Sequence, residues 1–144
     1  MKRPRLVLLC LGVTLVLAPA CGGGDSSIDV TLSEFAVVTS ATSADAGSIT
    51  FAVTNEGPED THEFVVLKTD LGITELPVDE NGAVTEEGEG IEVIDEIEDI
   101  PVGDSPELTV DLEAGNYVFI CNIWDEEEQE AHYQEGMRTG FTVS

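Results

Sequence analysis

Ala114-Gly115-Asn116-Tyr117-Val118-Phe119-Ile120-Cys121 reads as a turn followed by an apolar strand that ends on a thiol. Period two puts Tyr117, Phe119 and Cys121 on one face, with the aromatic rings packing inward and the thiol at the rim where strands give way to loops. The same alternation runs outward through the chain, in Ile28/Val30/Leu32, Ile49/Phe51/Val53, Leu108/Val110/Leu112 and Phe141/Val143. Between these runs lie the turn signals Asn55-Glu56-Gly57-Pro58 and Asn81-Gly82, and no stretch holds an amphipathic helical period over three turns. The class is all-β, a sandwich. Two segments break the rhythm. An acidic region from about Asp70 to Asp99 reads as a long connection with room for a short helix or hairpin, and Asp125-Glu126-Glu127-Glu128-Gln129-Glu130 reads as a loop inserted beside Cys121.

The N-terminus sets the compartment. Lys2, Arg3 and Arg5 precede an apolar run from Leu6 to Leu17 and then Ala18-Pro19-Ala20-Cys21, the layout of a secretory signal peptide over residues 1–20. The run is shorter than the roughly 20 residues of a membrane-spanning helix. The small residues before Cys21 resemble a bacterial lipobox, which implies that Cys21 is acylated and anchors the chain to a membrane. Residues 21–27, with Gly22-Gly23-Gly24-Asp25-Ser26-Ser27, form a flexible tether, and residues 28–144 form one domain. The expected location is extracytoplasmic, as a membrane-anchored lipoprotein of the periplasm or cell surface, or otherwise secreted.

Charge narrows the partners. Without the leader only Lys68 and Arg138 stand against 30 Asp and Glu, a balance that excludes nucleic acid. Most of these carboxylates read as a solvated, self-repelling surface that keeps the chain soluble; a basic protein partner is the sharper reading, and the chain is expected to be a monomer. Cysteine arithmetic is equally restrictive. Cys10 leaves with the leader, Cys21 is accounted for by acylation, and Cys121 stands alone. A lone thiol in an oxidising compartment needs burial or a bound partner.

His62 opens the apolar run Phe64-Val65-Val66-Leu67, ten residues separate Cys121 from His132, and four separate His132 from Met137. A thiolate and two neutral imidazoles form a trigonal plane that both Cu(I) and Cu(II) tolerate, with a thioether at long axial distance. His62 and Cys121 sit at strand ends, while one loop supplies His132 and Met137. Such an arrangement holds one type 1 copper ion with little reorganisation on electron gain or loss. The chain has only two His residues, and both fall in this pattern.

Asn55-Glu56-Gly57-Pro58 before His62-Glu63-Phe64-Val65-Val66, then Leu112 to Ile123, then His132-Tyr133-Gln134-Glu135-Gly136-Met137 and Phe141-Thr142-Val143, resemble a bacterial cupredoxin of the plastocyanin-like or sulfocyanin-like blue copper type, in lipoprotein form. The resemblance covers nearly all of the chain after the tether. It implies a Greek-key β-sandwich, one type 1 copper bound by ring nitrogens of His62 and His132, by the sulfur of Cys121 and axially by Met137, and electron transfer through the exposed edge of His132. Two features depart from the family pattern: the Cys-to-His loop is extended, and Glu63 follows the first His where Asn is common and helps to fix the Cys-bearing loop.

Other chemistries fit less well. Copper oxidases and nitrite reductases need further His ligands, and a binuclear site needs a second nearby Cys. His62-Glu63-Phe64-Val65-Val66 lacks the second His of a zinc-protease helix, no context supports a Cys-His nucleophile, and Asp79-Glu80-Asn81-Gly82 fails calcium-loop spacing. The expectation is an electron carrier rather than an enzyme. Copper delivery or buffering by a metallochaperone is the alternative.

Overall fold

The computed structural model describes residues 26–144. The expected signal peptide, Cys21 and residues 22–25 of the expected tether lie outside the described residues. Among the described residues the chain forms β1 (Ser26–Ser33), β2 (Ala36–Thr39), β3 (Ser43–Ala44), β4 (Gly47–Asn55), β5 (His62–Lys68), β6 (Glu92–Ile100), β7 (Glu107–Leu112) and β8 (Gly115–Ile120). It continues through β9 (Trp124–Asp125), β10 (Glu130–Ala131), the helical turn α1 (His132–Glu135) and β11 (Arg138–Val143). Ser26 and Ser27, assigned to the tether from sequence, are the first residues of β1 and pair with Ile49 and Thr50.

One sheet has the order β2-β1-β4-β7 and the other β3-β11-β8-β5-β6. Pairing is antiparallel except between β1 and β4 and between β3 and β11. The inward residues are those that alternation selects. Ile28, Val30 and Leu32 of β1 and Ile49, Phe51 and Val53 of β4 meet Phe64, Val66, Tyr117, Phe119, Phe141 and Val143 from the facing sheet in one buried cluster. Phe51 is central, with ring centroids 5.4 Å from Phe64, 5.0 Å from Phe119 and 6.1 Å from Phe141, in the tilted and edge-to-face geometries that aromatic quadrupoles favour.

A second cluster lies on the outer face of the five-stranded sheet, where Val65 and Leu67 of β5 and Val118 and Ile120 of β8 pack under Leu76, Val84 and Tyr133. This explains why β5 and β8 read as unbroken apolar runs, since strands covered on both faces have no polar side. The cover is Tyr133 of α1 together with the connection after β5, pinned by a Val78–Val84 bridge around the expected Asn81-Gly82 turn.

The acidic connection is shorter than the sequence suggested, because its last part is β6, an edge strand paired with β5. Two register shifts, between His62 and Phe64 and between Val66 and Leu67, break the period of two along β6. Bulges of this kind hide a strand from alternation. Its many carboxylates also suit an edge that must not recruit another chain.

Candidate metal centre

Three loops at one pole of the sandwich carry the donor side chains. The approach to β5 is fixed by Asn55, fully buried, whose Nδ2 donates to the carbonyls of Asp60 at 2.8 Å and Ile100 at 2.9 Å, while its Oδ1 accepts the N–H of Gly57 at 2.8 Å. Gly57 has φ +63, and a Cβ there would lie 2.7 Å from a Val102 methyl, so the turn requires glycine. His62 enters the interior as the first residue of β5.

Cys121 follows β8 directly, and its backbone N–H donates to the carbonyl of Met137 at 3.1 Å. The charged run expected as a loop is a small hairpin in which β9 pairs with β10, and Asp125 Oδ1 accepts the N–H groups of Glu127 and Glu128 at its tip. His132 begins the single turn α1; its carbonyl accepts from Gly136 at 3.2 Å and Met137 at 3.0 Å. That curl returns Met137 to the interior, fully buried in the same apolar cluster as Cys121.

His62, Cys121 and His132 converge, their donor atoms all within 4.8 Å of one another. The two Nδ1 atoms are 3.2 Å apart, and Cys121 Sγ lies 3.9 Å from His62 Nδ1 and 3.4 Å from His132 Nδ1. A first-row ion sits about 2.0–2.1 Å from nitrogen and about 2.3 Å from sulfur. At ligand angles of roughly 100–130° those lengths separate two nitrogens by about 3.1–3.7 Å and nitrogen from sulfur by about 3.3–3.9 Å. The observed triangle matches, so the donors are spaced to share one ion.

The surroundings favour neutral imidazoles and a thiol that yields its proton only to a metal. Burial lowers the pKa of both His residues, helped at His62 by the field of His132. Burial pushes the Cys121 thiol up to about 12, although the N–H groups of Glu63 and Ile123 pull the other way. The Glu63 N–H approaches Sγ at 3.4 Å, a donor suited to a thiolate.

Glu63 also answers the departure noted in the sequence. Its Oε1 accepts the backbone N–H of Asn122 at 2.7 Å, so the residue after the first His does fasten the Cys-bearing loop, through a carboxylate. Burial raises this carboxyl to about 7, with Glu86, Glu96 and Glu98 adding to the rise and the Asn122 bond opposing it. Asn122 in turn bonds the backbone of Val84 through both ends of its amide, tying the loop to the outer cover.

Sequence reasoning missed the corner between β1 and β2. Phe35 stands edge-on to His132 with centroids 5.3 Å apart. Glu34 accepts the N–H groups of Glu59 at 3.2 Å and Asp60 at 2.7 Å through Oε1, and the same oxygen lies 3.5 Å from His62 Nε2. Burial works to raise the Glu34 carboxyl, but those N–H groups and the field of His62 outweigh it and hold it below the usual range. No sequence signal separates Glu34 from the other acids. The exposed His edge implied by the resemblance is also much reduced: His132 is 2% exposed, covered by Phe35. It lines an open depression of about 410 Å³ together with Trp124 and the carboxylates of Glu59, Asp60, Asp99, Asp125 and Glu126.

No protein-family model matches the chain, and no curated protein sequence does either. Solved structures match over most of its length. Dithionite-reduced auracyanin from Roseiflexus castenholzii aligns with a TM-score of 0.57 at 20% identity, covering 85% of this chain and 99% of that one. Reduced rusticyanin aligns with a TM-score of 0.56 at 16% identity, covering 84% and 81%. Auracyanin A from Chloroflexus aurantiacus, described as a blue copper protein, aligns with a TM-score of 0.54 at 18% identity, covering 84% and 100%. The chain therefore has the cupredoxin fold, a β-sandwich, as the resemblance implied.

Proposed function

We propose that this chain is a type 1 copper protein that carries single electrons outside the cytoplasm: His62 Nδ1, His132 Nδ1 and Cys121 Sγ would hold one ion, with the thioether of Met137 as a further donor. The observation that carries this reading is the buried His-Cys-His triangle, sized for one ion and held by the ends of β5 and β8 at the pole and by the turn α1. Bound copper supplies a one-electron couple between Cu(I) and Cu(II). The chain's own residues do the rest. β5 and β8 fix two donors, α1 supplies the third, and Phe35 with the apolar cluster keeps water away. Glu63 N–H steadies the sulfur as an anion.

Electron carriage is favoured over copper delivery because His62 and Cys121 are fully buried and His132 nearly so, whereas handing an ion to an acceptor needs ligands an incoming donor can reach. The chain is accordingly read as a carrier and not as an enzyme. The acidic depression beside His132 suits a redox protein with a basic docking surface. Among the described residues no helix is long and apolar enough to cross a membrane, and membrane attachment is assigned to acylation of Cys21, on a chain acting as a monomer.

Copper binding is tested by loading the purified domain with Cu(II) and recording visible and paramagnetic resonance spectra. An intense thiolate-to-copper band with narrow copper hyperfine splitting supports it; a weak band with the wide splitting of ordinary nitrogen and oxygen ligation contradicts it. Docking is tested by the salt dependence of electron transfer to a basic partner. The rate should fall as ionic strength rises from about 0.01 M to 0.15 M, which shortens the screening length from about 30 Å to 8 Å; a rate indifferent to salt would remove the acidic rim from the account.

A further inference from the structure

His62 is fully buried. With Nδ1 turned to the other two donors, the ring must carry its proton on Nε2 to leave a lone pair on Nδ1, and a buried N–H then needs an acceptor. Among the described residues Nε2 has no hydrogen-bond partner, and neither has the equally enclosed Oε2 of Glu34. A donor and an acceptor, both without partners, thus belong to side chains that already approach within 3.5 Å through Glu34 Oε1 and His62 Nε2. A shift of a few tenths of an ångström brings that contact into the range of about 2.7–3.2 Å for an N–H···O bond.

The position of Glu34 is itself fixed. Two backbone N–H groups, of Glu59 and Asp60, hold Oε1, and its side chain is 13% exposed. The same corner places Phe35 against His132, so two consecutive residues outside the ligand-bearing sheet touch the two imidazoles separately.

We propose that Glu34 is a positioning residue for the copper site: its carboxylate accepts the Nε2 proton of His62, fixes the tautomer that frees Nδ1, and favours Cu(II) over Cu(I) by placing a negative charge behind the ligand. A carboxylate behind a ligating His raises its basicity and orients its ring, and an anion near the site stabilises the more highly charged oxidation state. The proposal rests on the copper reading above.

The discriminating variant is Glu34→Gln. The amide oxygen can keep both backbone N–H groups of the Glu59–Asp60 turn, while the charge is lost and an NH₂ group replaces the second oxygen. Cu(II) affinity, measured by competition with a chelator, should fall about 10–100-fold, and Cu(I) affinity should fall less. The potential should then rise, by about 59 mV for each tenfold difference between the two losses in a one-electron couple. The thermal midpoint of the metal-free variant should stay near that of the parent. Glu34→Ala, which removes the clamp on the turn as well, should lower that midpoint too. If Glu34→Gln leaves both affinities and the potential unchanged while Glu34→Ala alone is destabilised, Glu34 merely ties down a turn and the proposal is overturned. If the parent itself develops no thiolate-to-copper band, the copper reading fails first and takes this inference with it.

Discussion

Strands β5 and β8 each carry two kinds of buried side chain in the same register. Phe64 and Phe119, inside the sandwich, close a ring cluster with Phe51 and Phe141; His62 at the start of β5 and Cys121 just past the end of β8, each two residues nearer the pole, meet His132. Both sets are shielded from water to the same degree. They differ in what their neighbours supply. Each ring is satisfied by other rings, so the aromatic cluster stabilises the fold through burial and ring–ring contact. The nitrogens and sulfur at the pole have mainly one another, three electron-pair donors a few ångströms apart, which costs free energy unless a cation joins them. One pleat aims both clusters, and chemistry separates a structural one from a functional one.

The largest expected effect comes from Cys121→Ser. The thiolate band should vanish and Cu(II) affinity should drop by more than the roughly 100-fold that loss of a supporting partner costs, while the metal-free fold survives with its aromatic cluster intact. Phe119→Ala should do the converse. It should remove about 3–5 kcal/mol of stability by denaturant titration, yet molecules that remain folded should keep the copper band. If Phe119→Ala bleached the site at full stability, or Cys121→Ser unfolded the chain, the two clusters would not be separable.

Proton linkage sharpens the contrast. Both imidazoles have lowered pKa values and are neutral above pH 7, whereas the thiol is protonated. Binding should therefore release about one proton, and apparent Cu(II) affinity should rise about tenfold per pH unit between pH 7.5 and 8.5. A slope near two in a competition titration would mean that an imidazole was also charged.

The smallest effect concerns Glu63, whose folded pKa of about 7 exceeds the ordinary carboxyl value of 4.5. The folded state holds the extra proton between those values, so this residue contributes stability at low pH that is lost as pH rises through 7. The His residues act in the opposite direction, but only below about 6.5. Between pH 6.5 and 8 the metal-free chain should thus lose roughly 1 kcal/mol, and Glu63→Gln should flatten that dependence in a thermal melt series. A variant with the same slope as the parent would place the titration elsewhere.

Much of this arrangement is legible in the sequence, because one register governs both clusters: the alternation that buries Phe119 also aims Cys121. His62 and His132 were identifiable because no other His exists to compete with them. β6 escaped because two bulges break its period. The covered outer face escaped because Leu76, Val84 and Tyr133 reach it from separate segments with no period of their own. Glu34 was invisible for a different reason. Its significance lies in which nitrogen it faces, and that is set by the corner between β1 and β2 and the turn before β5, far apart in sequence and joined only by folding.

The most direct measurement is X-ray absorption at the copper edge of the loaded domain. One short copper–sulfur path with two imidazole nitrogens, the sulfur path lost in Cys121→Ser, is the expected result. A shell of nitrogen and oxygen alone, identical in parent and variant, would mean that His62, Cys121 and His132 do not share an ion.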